Sequence, residues 1–129
     1  MASIFSKIIS GEIPSYKIFE NEKFLAFLDI NPNTLGHTLC IPKEETDQIF
    51  DLDDKTLSEL IIFSKKIANA IKKAVVCERV GVSVVGLEVP HVHVHLIPIN
   101  NMDDMSFDSK INMTENQFIE TMNKIKSYI

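Results

Sequence analysis

At 129 residues, with 45% hydrophobic and 24% charged residues, the chain has the length and mixture of a single soluble globular domain. A net charge of −5 argues against a nucleic-acid polymer as partner, though not against a small phosphate ligand. Two cysteines outside any C-x-x-C pair exclude a disulfide scaffold, no stretch approaches a membrane span, and Lys7 and Glu12 interrupt any leader-like apolar core, so a reduced, cytoplasmic setting is expected.

Residues 3–10, SIFSKIIS, place Ile4, Phe5, Ile8 and Ile9 at helical spacing, and Gly11 is a suitable stop. SYKIFEN (15–21) and KFLAFLDI (23–30) read as two strands around a polar turn at Asn21 and Glu22. NPN (31–33) and Gly36 are turn chemistry, and HTLCIP (37–42) alternates again, with His37, Leu39 and Ile41 on one face. From Asp53, a suitable N-cap, to Val75 the apolar residues Leu57, Leu60, Ile61, Ile67, Ala68, Ile71, Ala74 and Val75 predict a long amphipathic helix. RVGVSVVG (79–86) and residues 91–97 are the fourth and fifth predicted strands, and residues 100–110 a polar loop. Thr114 and Gln117 fit a capping box that opens a last helix bearing Phe118, Ile119, Met122 and Ile125. Strands joined by short turns, interrupted by one long helix, predict an antiparallel α+β fold.

PHVHVHLIP (90–98) spends three of the four histidines at alternate positions. As a strand bracketed by Pro90 and Pro98, it puts His91, His93 and His95 on one face and Val92, Val94 and Leu96 on the core face. A bland reading makes the histidines the wet side of a half-buried strand. Neighbours on that face stand ~6.6 Å apart and the end pair ~13 Å, too spread for one zinc ion without a strong bend. Protonated neighbours repel, so at least one ring should be neutral near pH 7. A neutral imidazole can attack phosphorus while its neighbours hold phosphate oxygens and protonate a leaving group. A Ser-His-Asp or Cys-His arrangement fits less well, because no G-x-S-x-G elbow occurs and Cys40 falls mid-strand.

HVHVHLI (91–97) resembles the H-φ-H-φ-H-φ-φ signature of the histidine-triad hydrolases at every position, φ being apolar. Residues 4–43 look like the branch of that family that cleaves nucleoside phosphoramidates, whereas residues 98–129 are poorly matched. The resemblance implies one histidine-triad domain over 1–129. Its fold would be a five-stranded antiparallel sheet with one long helix, a short N-terminal helix and a C-terminal helix. It implies a homodimer that binds a purine nucleotide and needs no metal or cofactor. By resemblance His93 is the nucleophile, His95 contacts phosphate and protonates the leaving group, His91 orients the site and His37 supports it. Asp29 would bind ribose hydroxyls, while Ile4, Phe5, Ile8, Ile13, Phe27, Ile30 and Leu39 would line the base pocket. Histidine at 95, where related nucleotidyltransferases carry glutamine, points to a hydrolase.

The chain departs from the family in three places. Ser3 and Ser6 stand where some relatives carry a zinc-binding cysteine pair. Residues 86–91 read Gly-Leu-Glu-Val-Pro-His instead of G-Q-[ST]-V-x-H, so the carboxylate of Glu88 replaces a phosphate-binding hydroxyl. With Glu88 turned away, backbone N–H groups near Val89 would hold the phosphate; alternatively its carboxylate would meet a cationic leaving group and set specificity. VGVSVV (80–85) lacks the asparagine that relatives often place near the phosphates. A nucleotide-binding module with little turnover and a dinucleoside polyphosphate hydrolase are the alternative functions.

Overall fold

Helix α1 (Ile4–Ser10) begins where the Ser3 hydroxyl accepts the Ser6 amide, and it ends at Gly11, whose φ of 87° is left-handed. The chain then forms a hairpin of β1 (Lys17–Glu20) and β2 (Phe24–Leu28). Asn21 Oδ1 closes its turn by accepting the amides of Lys23 and Phe24 at 2.9 and 2.8 Å. After β3 (Thr38–Pro42), Asp53 caps the long helix α2 (Asp54–Ala74). Strands β4 (Arg79–Ser83) and β5 (Val94–Ile99) follow, and the expected capping box at Thr114 and Gln117 opens α3 (Glu115–Lys126). Short 3-10 turns at Ile49–Asp51 and Met102–Met105 interrupt stretches without predicted structure. In this computed structural model, which describes residues 3–129, the strands form one antiparallel sheet in the order β1-β2-β3-β5-β4. No described helix is long and apolar enough to cross a membrane.

Strand alternation sorts the core into two layers. Phe24, Ala26, Leu28, Cys40, Val94 and Leu96 meet Leu60, Ile67 and Ile71 of α2 and Phe118 and Ile125 of α3. Leu25, Phe27, Leu39 and Ile41 point the other way and meet Phe5 and Ile8 of α1. The central strands are therefore buried on both faces, which is why β2 and β3 read as continuous apolar runs. Ile61 lies off the buried stripe of α2 and is exposed, and Phe63 and Ser64 are buried in its place. In α3, Ile119 is likewise exposed beside buried Phe118.

The strand expected at 91–97 starts three residues later. The β4–β5 ladder ends at Ser83 opposite His95, so residues 91–93 have no strand partner there. They are held instead by the Val92 amide on the Thr46 carbonyl at 2.8 Å. Pro98 does not end the strand but lies inside it, opposite Val80. The β3 ladder stops at Leu96, and the Pro98 carbonyl on that side accepts the Thr34 hydroxyl at 2.7 Å, so its missing N–H leaves no gap.

Gly36 makes the turn that delivers His37 to the start of β3. Its φ is 96°, and a Cβ there would lie 2.9 Å from Val75 Cγ2. Gly36→Ala therefore combines left-handed strain with a clash, and urea unfolding should show a loss of ~1–3 kcal/mol.

Candidate active site

Register brings the site together. His95 of β5 pairs with Leu39 of β3, so His37, two residues before Leu39, is the diagonal neighbour of His95 on the same face. The His37 Nε2 and His95 Nδ1 atoms are 2.9 Å apart. The His93 ring stands edge-on to His95 at 4.8 Å between centroids. All four histidines are buried, so the expected row does not lie on a wet face.

The hydrogen-bond partners assign each ring its proton. The Asn33 amide donates to His37 Nδ1 at 2.9 Å, so the proton of His37 sits on Nε2 and is donated to His95 Nδ1. His95 therefore carries its own proton on Nε2. His93 Nδ1 donates to the His91 carbonyl at 2.7 Å, which leaves its Nε2 as a free base. His91 Nε2 donates to the Pro42 carbonyl at 2.7 Å, and its Nδ1 accepts the Ser3 hydroxyl at 2.9 Å. The buried face thus holds a bare imidazole lone pair beside an imidazole N–H.

Burial, then neighbouring His95 and Lys110, lowers the pKa of His37 to about 3. Burial, then His93 and Lys110, lowers that of His95 to about 4. His91 is also lowered, chiefly by burial. Burial raises Asp29, whose Oδ2 lies 3.6 Å from His37 Nε2. Asp29, His37 and His95 bring three possible ligand atoms within 4.8 Å of one another. A metal ion fits them poorly. His37 Nδ1 already accepts the Asn33 amide, so metal on Nε2 would require an imidazolate. The hydroxyls of Ser3 and Ser6, where some histidine-triad proteins carry cysteines, are committed to His91 and to Glu45.

Phe5, Ile8, Phe27 and Leu39 form one apolar cluster, against which Ile13 and Val89 pack. Phe5 turns its ring edge-on to His93 at 5.0 Å and to Phe27 at 5.6 Å. Ile4 and Ile30 stand outside this cluster, 47% and 71% exposed. Glu88 is exposed. A cleft of about 450 Å³ reaches His93 from the other side, between Asp47, Phe50, Val84, Leu87 and Val92. Sequence reasoning missed Asn33, four residues before His37, and Phe107 and Lys110, which reach this constellation from the loop beyond β5. Asn33 sits in a turn motif, and the other two lie in the loop beyond β5, so spacing carries no signal for any of them.

The HIT domain family model matches residues 10–102. The chain belongs to the HIT family. A HIT-like protein of Borreliella burgdorferi is 40% identical over 98% of this chain and 97% of its own length. The adenosine 5'-monophosphoramidase hnt1 of Schizosaccharomyces pombe is 39% identical over 78% of this HIT chain and 77% of its own. A Hit-like protein from Bartonella henselae, described as involved in cell-cycle regulation, superposes with a TM-score of 0.87 at 33% identity, over 98% of this chain and 96% of that one.

The neutral pair gives this HIT protein an acid-sensitive core. The unfolded chain protonates its histidines near 6.5, whereas the folded one keeps His37 and His95 neutral down to about 3 and 4. The unfolded state thus binds more protons in that window, and stability is lost as pH falls through it. The urea midpoint should drop steeply between those limits, and His37→Gln should flatten the drop by about one proton's worth. A wild-type midpoint independent of pH in that range would contradict the buried neutral pair.

Proposed function

We propose that this chain acts as one histidine-triad unit that hydrolyses a purine nucleoside 5'-phosphoramidate, or a related mixed nucleotide, through a nucleotidyl-His93 intermediate. The observation that carries the reading is the free base at His93 Nε2 beside the N–H of His95, with the rings 4.8 Å apart. A relative that is named an adenosine 5'-monophosphoramidase supports the substrate class.

In the first half-reaction the Nε2 lone pair of His93 attacks phosphorus. The P–N bond of the substrate breaks, its electron pair leaves with the amine nitrogen, and that nitrogen takes the proton of His95 Nε2. The nucleotidylated His93 keeps its Nδ1 proton on the His91 carbonyl and is cationic. The His95–His37 pair is then one proton short, and its negative charge is balanced by that cation until water returns the proton. Water next attacks phosphorus and gives its proton to His95, and the bond to His93 breaks with its pair returning to Nε2. Asp29 holds the ribose hydroxyls, and Phe5, Ile8, Ile13, Phe27 and Leu39 hold the base, with Ile4 and Ile30 at its open rim. His91 fixes His93 through its carbonyl.

Exposed Glu88 and Asp47 near the site disfavour the extra phosphates of a dinucleoside polyphosphate. Exposed Leu87 and Glu88, in place of a phosphate-binding pair, favour the second reading, a nucleotide-binding module with little turnover. The β4 edge, with Val82 exposed, is where a second copy would extend the sheet into a homodimer, and the working location is the cytoplasm.

Acid quench of wild type with adenosine 5'-phosphoramidate should trap protein heavier by one adenylate. His93→Ala should lose that adduct and, on the order of, a thousandfold or more in kcat. Binding with no adduct and no ammonia release would select the module reading. Turnover should also survive prolonged EDTA treatment, because the imidazoles carry every step; loss of activity restored by a divalent ion would overturn the mechanism.

A further inference from the structure

The segment after β5, beyond the matched family region, folds back over the buried imidazoles. The Ile111 amide donates to the Pro32 carbonyl at 3.0 Å. Asn33 is buried at 3% exposure and is tied to that segment twice. Its Nδ2 donates to the Asp104 carbonyl at 3.1 Å, and its Oδ1 accepts Lys110 Nζ at 2.8 Å. Phe107 sets its ring edge-on to His95 at 4.7 Å and lies 6.3 Å from His37. Lys110 Nζ stands over that phenyl ring at 5.0 Å. A continuous hydrogen-bonded line therefore runs from the Lys110 ammonium through Asn33 to His37 and on to His95.

We infer that Asn33 and Lys110 are positioning residues for proton delivery at His95: they hold the His37 N–H on His95 Nδ1 and set a cation beside the pair when it is one proton short. This rests on the hydrolase reading above. The Asn33 side chain is anchored at both ends, so its backbone N–H stays aimed at His37 Nδ1. With Nδ1 engaged, His37 has one proton to give, and it goes to His95. His95 must then present its own proton toward the substrate. Lys110 disfavours an extra proton on both rings, and by the same Coulomb attraction it offsets the negative charge of a pair one proton short, while Asp29 Oδ2 lies 3.6 Å from His37 Nε2. Phe107 packs its ring between that cation and His95, with Lys110 Nζ at 5.0 Å and the imidazole at 4.7 Å. The device matters only when the departing group needs a proton.

Two adenylates separate this role from plain structural support. The alkylamine phosphoramidate of adenosine 5'-monophosphate has a basic leaving group that needs the proton. Its p-nitrophenyl ester has a leaving group that departs without one. On the alkylamide, Asn33→Ala and Lys110→Met should each lose, on the order of, tenfold or more in kcat, against a loss several times smaller on the ester. Lys110→Arg should recover most of the alkylamide rate. Equal losses on both substrates, or no loss on either, would overturn the inference. Imidazole ¹⁵N spectra give a readout independent of turnover. Wild type should show His95 as the Nε2–H tautomer, and Asn33→Ala should show a mixture. An unchanged tautomer in that variant overturns the inference whatever the rates. Wild type inactive on both adenylates overturns the hydrolase reading and proton delivery with it, whereas a tautomer shift still present in Asn33→Ala shows that Asn33 holds the His37–His95 pair.

Discussion

The 2.9 Å hydrogen bond between His37 Nε2 and His95 Nδ1 is the contact on which the site's chemistry depends. It joins residues 58 positions apart, and three separate features of the fold make it possible. The register of β3 on β5 sets the two rings on one face. The left-handed Gly36 turns the chain so that His37 enters that face. The Asn33 amide then decides which nitrogen of His37 carries the proton. Shifting β5 by one residue would send His95 into the α2 layer and Leu96 into the site.

Burying four imidazoles in a small sheet is expensive unless every ring nitrogen has work or water. The fold meets this with backbone groups. The Pro42 and His91 carbonyls and the Asn33 amide take three of the eight ring nitrogens, and the Ser3 hydroxyl and the His37–His95 pair take three more. The two that remain are Nε2 of His93 and Nε2 of His95. They differ in kind, one a lone pair and one an N–H, because the partners on the far sides of their rings differ. Asymmetry between two identical side chains is thus produced by backbone geometry, and in the proposed reaction it would allow one to attack while the other donates.

Much of this was legible in the sequence. Strand patterning and turn signals found all five strands, and the caps at Asp53 and Thr114 mark local preferences that act over three residues. Strand ends were not legible. Strand β5 begins at Val94 because β4 leaves it after Ser83, a fact of pairing between distant segments. Alternation also cannot tell a solvated face from one covered by another element, and Phe5 of α1, against His91 and His93, and Phe107, against His95 and His37, are what cover the histidine face. The triad itself announced the candidate site, but its tautomers did not. They are set by a backbone amide at Asn33 and by carbonyls at Pro42 and His91, and backbone groups leave no mark on residue identity. Lys110 lies 77 residues from Asn33, in a loop whose composition reads only as polar.

Glu88 shows how far environment outweighs residue type. At ~4 Å two unit charges repel by ~4 kcal/mol at an effective dielectric of ~20 but only ~1 kcal/mol in bulk water. The Glu88 side chain is exposed and accepts no hydrogen bond among the described residues, so its effect on a bound phosphate falls toward the water limit. The donor that faces the substrate sits on the opposite side of that balance. His95 Nε2–H is buried, where a hydrogen bond to an ionised phosphate oxygen is stronger than in water. The fixed cation tied to the buried pair is the Lys110 ammonium, which reaches it through Asn33 from an exposed position. In the proposed reaction, positive charge develops on His93 as phosphorus is bound, beside the phosphate and the proton-poor pair that would balance it. In the proposed reaction a chain of net charge −5 would meet an anionic nucleotide with charge created on His93 at the place where it is used, added to that of Lys110.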